Sequence, residues 1–299
     1  MGNTRDIKRR IVSVANTTKI TRTMELIATA KSQQCQQRIQ KALPYFHALA
    51  EIAGEARKAS GDDQGQHPLL EQREVKKVAI LAVAANRGLC GGYNGNVLRM
   101  ARDRRAELMA EGKEVVIIAS GKKAFTWLKF QGVPFDKKTY NQFEDKPAYV
   151  DVEKVADHVM GLFLDGQVDR VEVIYTHYFS AGRQGPVVET MLPITSTEGP
   201  AKKKGGADEG AGRQVNFTIE PDAKSILDAL FPLQAKLHLF RVYLEAATSE
   251  QIARRIAMKN ATDNAQEVRR ELKMQYNRAR QNQITKEILE VLGGAEALA

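Results

Sequence analysis

The chain is short of aromatic residues. They make up 6% of 299 positions, with a single Trp, which suits long helices better than a dense β core. Long apolar runs are also missing. The longest, Val78–Ala85 and Val115–Ala119, are strand-sized and fall well short of the roughly 20 residues that span a bilayer. The first ten residues, MGNTRDIKRR, hold no apolar stretch and no Arg/Ser-rich transit character, so the expectation is a chain that stays in the cytoplasm. Two cysteines, Cys35 and Cys90, give neither a disulfide framework nor a metal knuckle. The five histidines show no ligand spacing and no H-E-x-x-H pattern. Ser249–Glu250 and Thr285–Lys286–Glu287 have no His partner nearby in sequence, so no nucleophile constellation emerges.

What is present is positive charge in one place. The net charge is +9, and residues 1–59 hold eleven Lys/Arg against four Asp/Glu while the rest is nearly balanced. A basic rod implies an acidic partner: phosphate backbone, lipid headgroups or carboxylate-rich protein.

Residues 3 to about 58 read as one long helix, capped by Asn3 and with Asp6 in the first turn. A 4-3 stripe runs Ile7, Ile11, Val14, Thr18, Thr21, Ala28, Ser32, Cys35, Ile39, Ala42, Phe46 and Leu49, the pattern of a coiled-coil seam. Its middle is small and polar, which permits close approach of a second helix. Pro44 is expected to bend or break the helix. Residues 60–74 read as a polar linker. Over 75–196 the period changes to strands alternating with helices, which predicts a parallel, Rossmann-like α/β domain, with 186–194 as an edge strand. Residues 197–213 are low in complexity and read as a disordered loop. The segment 221–299 is helical again, with Leu230, Leu233, Leu237, Phe240 and Leu244 on one face. Met258, Ala261, Ala265, Val268 and Leu272 continue it, Pro232 is a potential kink, and Gly293–Gly294 is the stop. Two helices of roughly 80 and 105 Å cannot bury their seams in a globule of this size. The expected fold class is therefore α/β: a long antiparallel coiled coil of N- and C-terminal helices plus a central Rossmann-like domain.

The loop AANRGLCGGYNGN after the first strand is Gly-rich. It reads Gly88-x-x-Gly91-Gly92 rather than G-x-G-x-x-G, and no acidic residue follows at the ribose position. The nearest P-loop look-alike begins at Gly132, with Pro134 inside it and Lys137 where the second glycine belongs. Both fit tight turns better than nucleotide binding. A nucleic-acid reading stays open on charge alone, although Lys8, Arg9, Arg10, Lys19, Arg22, Lys31, Arg38 and Lys41 lie around the helix without stacking aromatics.

The two ends carry more specific motifs. DIKRRIVSVANTTKITRTMELIATAK (6–31), AMKNATDNA, YNRARQ, ITKEILE and GGAEAL in 249–298, and the middle NRGLCGGYN are similar to the γ-subunit family of F-type ATP synthases, in the right order over nearly the whole chain. The resemblance implies a rotor that is not itself catalytic and needs no cofactor. In that family the end helices wrap through a ring of three α and three β subunits, and the globular end meets the ε subunit and the ring of c subunits. It implies β-subunit contacts at Met24, Arg254, Arg280, Gln281, Thr285 and Glu287, with Gln251, Ile252 and Arg255 departing from the usual residues beside Arg254. It implies a basic rod face at Lys8, Arg9, Arg10, Lys19, Arg22 and Lys31 opposite acidic β loops. An apolar sleeve would receive the tip from Ile284 through Ile288, Leu289 and Leu292 to Leu298. The location it implies is the cytoplasmic face of a bacterial inner membrane, peripheral, held through the complex, with regulation of the catalytic head and no nucleic acid bound.

Overall fold

The structure is a computed structural model that describes residues 4–60, 67–136, 138–194 and 223–296. The expected Asn3 cap, Lys137, residues 61–66 of the linker, the 197–213 loop and Leu298 lie outside the described residues. Nine long elements follow in the order α1 (Thr4–Ser60), β1 (Lys77–Val83), α2 (Tyr93–Ala110), β2 (Glu114–Ser120), α3 (Lys122–Phe130), α4 (Tyr149–Leu164), β3 (Arg170–Ser180), β4 (Arg183–Leu192) and α5 (Ala223–Glu296). The chain divides into two compact units, one of residues 31–253 and one formed by 1–30 with 254–299.

In the larger unit a four-stranded sheet has the order β2-β1-β3-β4. β1 pairs in parallel with β2 and β3, whereas β4 returns antiparallel beside β3. The expected all-parallel sheet is thus corrected to a mixed one. Only two residues, Ala181 and Gly182, separate β3 from β4, and a connection that short can only form a hairpin. Side chains alternate along β1. Val78, Ile80 and Ala82 pack with α2 and α3, while Ala79, Leu81 and Val83 pack with α4 and α5. Three layers result, with the sheet buried on both faces.

Within this unit α5 is apolar on two sides. Leu227, Phe231, Ala235, Leu239, Val242, Tyr243 and Ala246 join the sheet and α4. Leu237 and Leu244, with Leu230, Leu233 and Phe240, meet Phe46 and Leu49 of α1. Pro44 and Pro232 sit inside α1 and α5 without ending either helix. Each proline removes one backbone hydrogen bond, but the burial of Phe46, Leu49, Phe231 and Leu237 around them holds the helices together, since tertiary packing outweighs local propensity. The expected polar linker also contains an anchor. Pro68–Leu70 forms a 3-10 turn capped by His67, and Leu69 is 1% exposed in the core.

The smaller unit is a pair of helical segments. Thr262 Oγ1 lies 2.8 Å from Thr21 Oγ1, and Thr4 Oγ1 donates to Gln283 Oε1 at 3.1 Å. As α1 advances α5 retreats, so the two run antiparallel. The α1 stripe is the inward side: Thr21 and Ala28 are buried, and Ile7, Ile11, Val14 and Thr18 half-buried. From Met258 onward the buried or half-buried positions of α5 are Met258, Ala261, Thr262, Ala265, Leu272, Tyr276 and Ala279, and Val268 is 44% exposed. The seam therefore passes Val268 by, because the heptad spacing from Met258 runs through Ala265, Leu272 and Ala279. Gly293 does not stop α5, which continues to Glu296.

Gly121, between β2 and α3, has φ +95°, and a Cβ there would stand 2.0 Å from the Ala84 carbonyl oxygen. Gly121→Ala is expected to cost about 3 kcal/mol or more. Urea unfolding of the purified chain, followed through the fluorescence of Trp127, measures it.

Candidate functional site: a filled strand crevice and an open helix pair

In a sheet of this order, ligands bind beyond the carboxyl ends of the strands, where β1 is flanked by connections that leave in opposite directions. Here that crevice is filled by the chain itself. Tyr243 of α5 bonds Ser120 at 2.7 Å, and the Tyr93 hydroxyl donates to Ala246 O at 3.1 Å. Phe143 stacks on Tyr243 with ring centroids 4.1 Å apart. Asn86 donates to the carbonyls of Asn141 and Phe143 at 2.7 and 2.6 Å and accepts from Lys122 N. The Gly-rich loop spends its neighbouring donors internally, with Ala85 N on Asn94 Oδ1 at 2.9 Å. Burial pushes the Tyr243 phenol above its ordinary range, so it stays protonated.

Beside the crevice a polar network ties α5 to β3 and β4. Arg241 donates to Glu189 at 2.6 Å and to Glu245 at 3.0 Å. The Tyr175 hydroxyl lies 2.8 Å from Glu189, 3.0 Å from His177 Nδ1 and 3.2 Å from Glu245. Burial works against the Arg241 charge, but Tyr175, Glu245 and Glu189 outweigh it and hold the guanidinium protonated. Burial also acts to raise Glu189, yet His238, Arg241 and the Tyr175 hydroxyl hold it below its usual value. His238 sits with Nε2 3.7 Å from Glu189, and burial pushes it down to about 4 despite that carboxylate. The bonded groups of this network fix geometry, although His238 Nε2 itself makes no hydrogen bond among the described residues. Among the described residues no group of three or more His, Cys, Asp or Glu could hold a metal ion. Burial drives the Cys35 thiol up to about 11, which leaves little thiolate at neutral pH.

The expected contact residues occupy the helix pair and its continuation. Arg280, Gln281, Thr285 and Glu287 are exposed within two turns of α5. Thr285 donates to Gln281 O at 3.0 Å, and Glu287 accepts from Gln283 at 3.0 Å. Ile284, Ile288, Leu289 and Leu292 are 43%, 54%, 63% and 60% exposed. Met24 is half-buried, whereas Arg254 is only 8% exposed and offers a neighbour little surface. Lys8, Arg9, Arg10, Lys19 and Arg22 are exposed, Arg22 bonding Glu25 at 2.9 Å. Lys31 differs: it is half-buried and engaged by Asp145.

A family profile described as ATP synthase matches residues 3–298. The chain is 43% identical to the ATP synthase gamma chain of Rhodopirellula baltica, covering 100% of this chain and 99% of that one. The chain belongs to the ATP synthase gamma chain family. The gamma chain of Leptospira biflexa is 42% identical over the full length of both. A subunit in a structure of the Euglena gracilis mitochondrial ATP synthase, OSCP/F1/c-ring, superimposes with TM-score 0.68 at 21% identity, covering 99% of this chain and 94% of that one, and so shares the fold.

Gamma-chain motifs pointed to the ends of this chain but not to its internal ties. Asp145, Asn86 and the Tyr175–Glu189–Arg241–Glu245 network escaped the sequence reading because the bonds that tie one element to another join residues far apart in sequence, as with Arg241 and Glu189, 52 residues apart. One signal was available: Glu245, Thr248, Ser249 and Gln251 interrupt an otherwise apolar stretch of α5, and all are buried.

Above the ordinary histidine value of 6.5, His238 is neutral in folded and unfolded chains alike. Below it the unfolded chain takes up a proton that the folded chain refuses until about pH 4, so stability falls as pH falls through that window. The expected loss is up to about 3 kcal/mol. Glu189, held below 4.5 when folded, adds a further loss beneath the window. His238→Leu should flatten the dependence above pH 4.5, read from denaturant midpoints against pH.

Proposed function

We propose that this chain is the central shaft of a rotary ATP synthase, coupling ion flow through a c-subunit ring to ATP synthesis on β subunits and regulating the catalytic head. The observation that carries the reading is the full-length gamma-chain match in a chain that ends in an antiparallel helix pair with an open outer surface. The proposed partners are three α and three β subunits, an ε subunit and the c-ring. A gamma chain with its crevice closed by Tyr243, Tyr93 and Phe143 is assigned no catalytic step, and its role is mechanical.

Exposed arginines and lysines on α1 attract acidic β loops over a distance of about a Debye length, ~8–10 Å in physiological salt, and with weak directionality. That suits a part that must keep turning. Arg280, Gln281, Thr285 and Glu287 form an exposed polar group that can make orientation-dependent hydrogen bonds at one angular position. Met24 is proposed to face the same subunits, and Arg254 to support the contact from a mostly covered position. Ile284, Ile288, Leu289 and Leu292 would seat in an apolar sleeve. An asymmetric shaft meets three identical β subunits with three different faces, and each face biases one subunit toward a different state. Driving one site from mostly open to mostly closed requires about 5.5 kcal/mol of differential contact, which several residues must share. No helix among the described residues is long and apolar enough to cross a membrane. Association with the cytoplasmic face of an inner membrane is accordingly assigned to the complex.

Purified alone, the chain should hydrolyse no ATP and retain no nucleotide in equilibrium dialysis. Purified gently from cells, it should bring down two large nucleotide-binding subunits in multiple copies. Replacing Arg280 and Gln281 by Ala and Thr285 by Val removes charge-assisted hydrogen bonds of about 1.5–3 kcal/mol each. ATP synthesis by energised vesicles should fall several-fold while nucleotide binding at β persists. Unchanged synthesis would overturn the proposed contacts.

A further inference from the structure

Residues 141–148 connect the sheet edge to α4, and Asp145 in this loop gathers donors from both long helices. Its carboxylate takes Lys31 Nζ from α1 on one oxygen and Gln251 Nε2 from α5 on the other. Its carbonyl accepts from Cys35 Sγ at 3.3 Å and from Arg38 at 3.1 Å. Lys31, Cys35 and Arg38 are spaced i, i+4 and i+7, so α1 is held along two successive turns of one face. The loop is itself pinned to the end of β1. Asn86 holds the carbonyls of Asn141 and Phe143, the Phe143 ring stacks on Tyr243, and Arg87 reaches Glu144 at 3.4 Å. All of these residues belong to the larger unit.

Apolar burial fixes roll only coarsely. The contact of Phe46 and Leu49 with Leu237 and Leu244 keeps one face of α1 inward, but it is non-directional and sets the angle less sharply than hydrogen bonds do. Hydrogen bonds weaken steeply with angle, so four donors on one residue set an angular position. Lys31 and Gln251 also lie within three residues of the points, Lys31 and Ala253, where α1 and α5 leave this unit.

We propose that Asp145 is a positioning residue that locks the rotational setting of α1 against α5 and the sheet domain, so that torque on the domain turns both helices together instead of being lost as roll of α1. The proposal rests on the shaft reading and adds the part that transmits the load.

The test uses the complete ATP synthase in vesicles, with ATP-driven proton uptake and ATP hydrolysis measured on the same preparation. Asp145→Ala should lower protons moved per ATP by about twofold or more, the effect expected for a residue in a coupling element. Asp145→Asn keeps the acceptor for Gln251 and the backbone carbonyl and should restore much of the ratio. Lys31→Met should give a partial loss. A role in stability alone would reduce the yield and thermal midpoint of the complex and leave the ratio of assembled complexes at wild type, and that result overturns the proposal. Should Asp145→Ala fail to assemble, an unchanged ratio in Lys31→Met overturns it equally. Vesicles that pump equally well without this chain would instead defeat the shaft reading, whatever Asp145 does.

Discussion

Between Leu230 and Ala253, α5 is covered on two sides, by the sheet with α4 and by α1. A helix in that position has almost no face left for water. From Val242 to Ser249 every residue is buried, Glu245, Thr248 and Ser249 among them. Polar groups in such a place must find partners within the protein. Glu245 finds Arg241 and His177, and Thr248 finds the Leu244 carbonyl at 2.8 Å. The network on β3 and β4 and the closure of the strand crevice by Tyr243 both follow from this one element being enclosed.

The same helix has the opposite character beyond Arg254. Burial thins through Met258 and Thr262, and every residue from Arg280 to Gly293 is exposed. The apolar residues among these have no cover within the smaller unit, and exposed apolar clusters on a soluble chain mark interaction surfaces. α5 thus passes from core element to exposed helix without a break in its backbone, over 74 residues, many times the usual length.

Sequence periodicity served well where burial is one-sided. The α1 stripe from Ile7 to Leu49 is the buried stripe of the structure, and the strand and helix positions of the α/β domain fell close to place because apolar runs bounded by Gly and charge are hard to misread. It served poorly where burial is two-sided or tertiary. The direction of β4 depended on the length of a turn, and Val268 was taken into the seam because it is apolar. Pro44, Pro232 and Gly293 were given their local meaning, whereas packing around the prolines kept both helices whole. Leu69 was hidden in polar surroundings. The family motifs at the chain ends were legible because they are local. Asp145 was not, since its partners Lys31 and Gln251 are more than 100 residues distant on either side.

Thr21 and Thr262 face each other across the helix pair: Thr21 donates to the Thr18 carbonyl and accepts from Thr262, whose one proton is shared between Thr21 and the Met258 carbonyl. Two hydroxyls sharing one hydrogen bond in a dry seam behave as an index mark. Sliding one helix past the other by a single turn would break this pairing. The pairing therefore fixes the lengthwise register, deciding which residue of α1 stands level with which residue of α5.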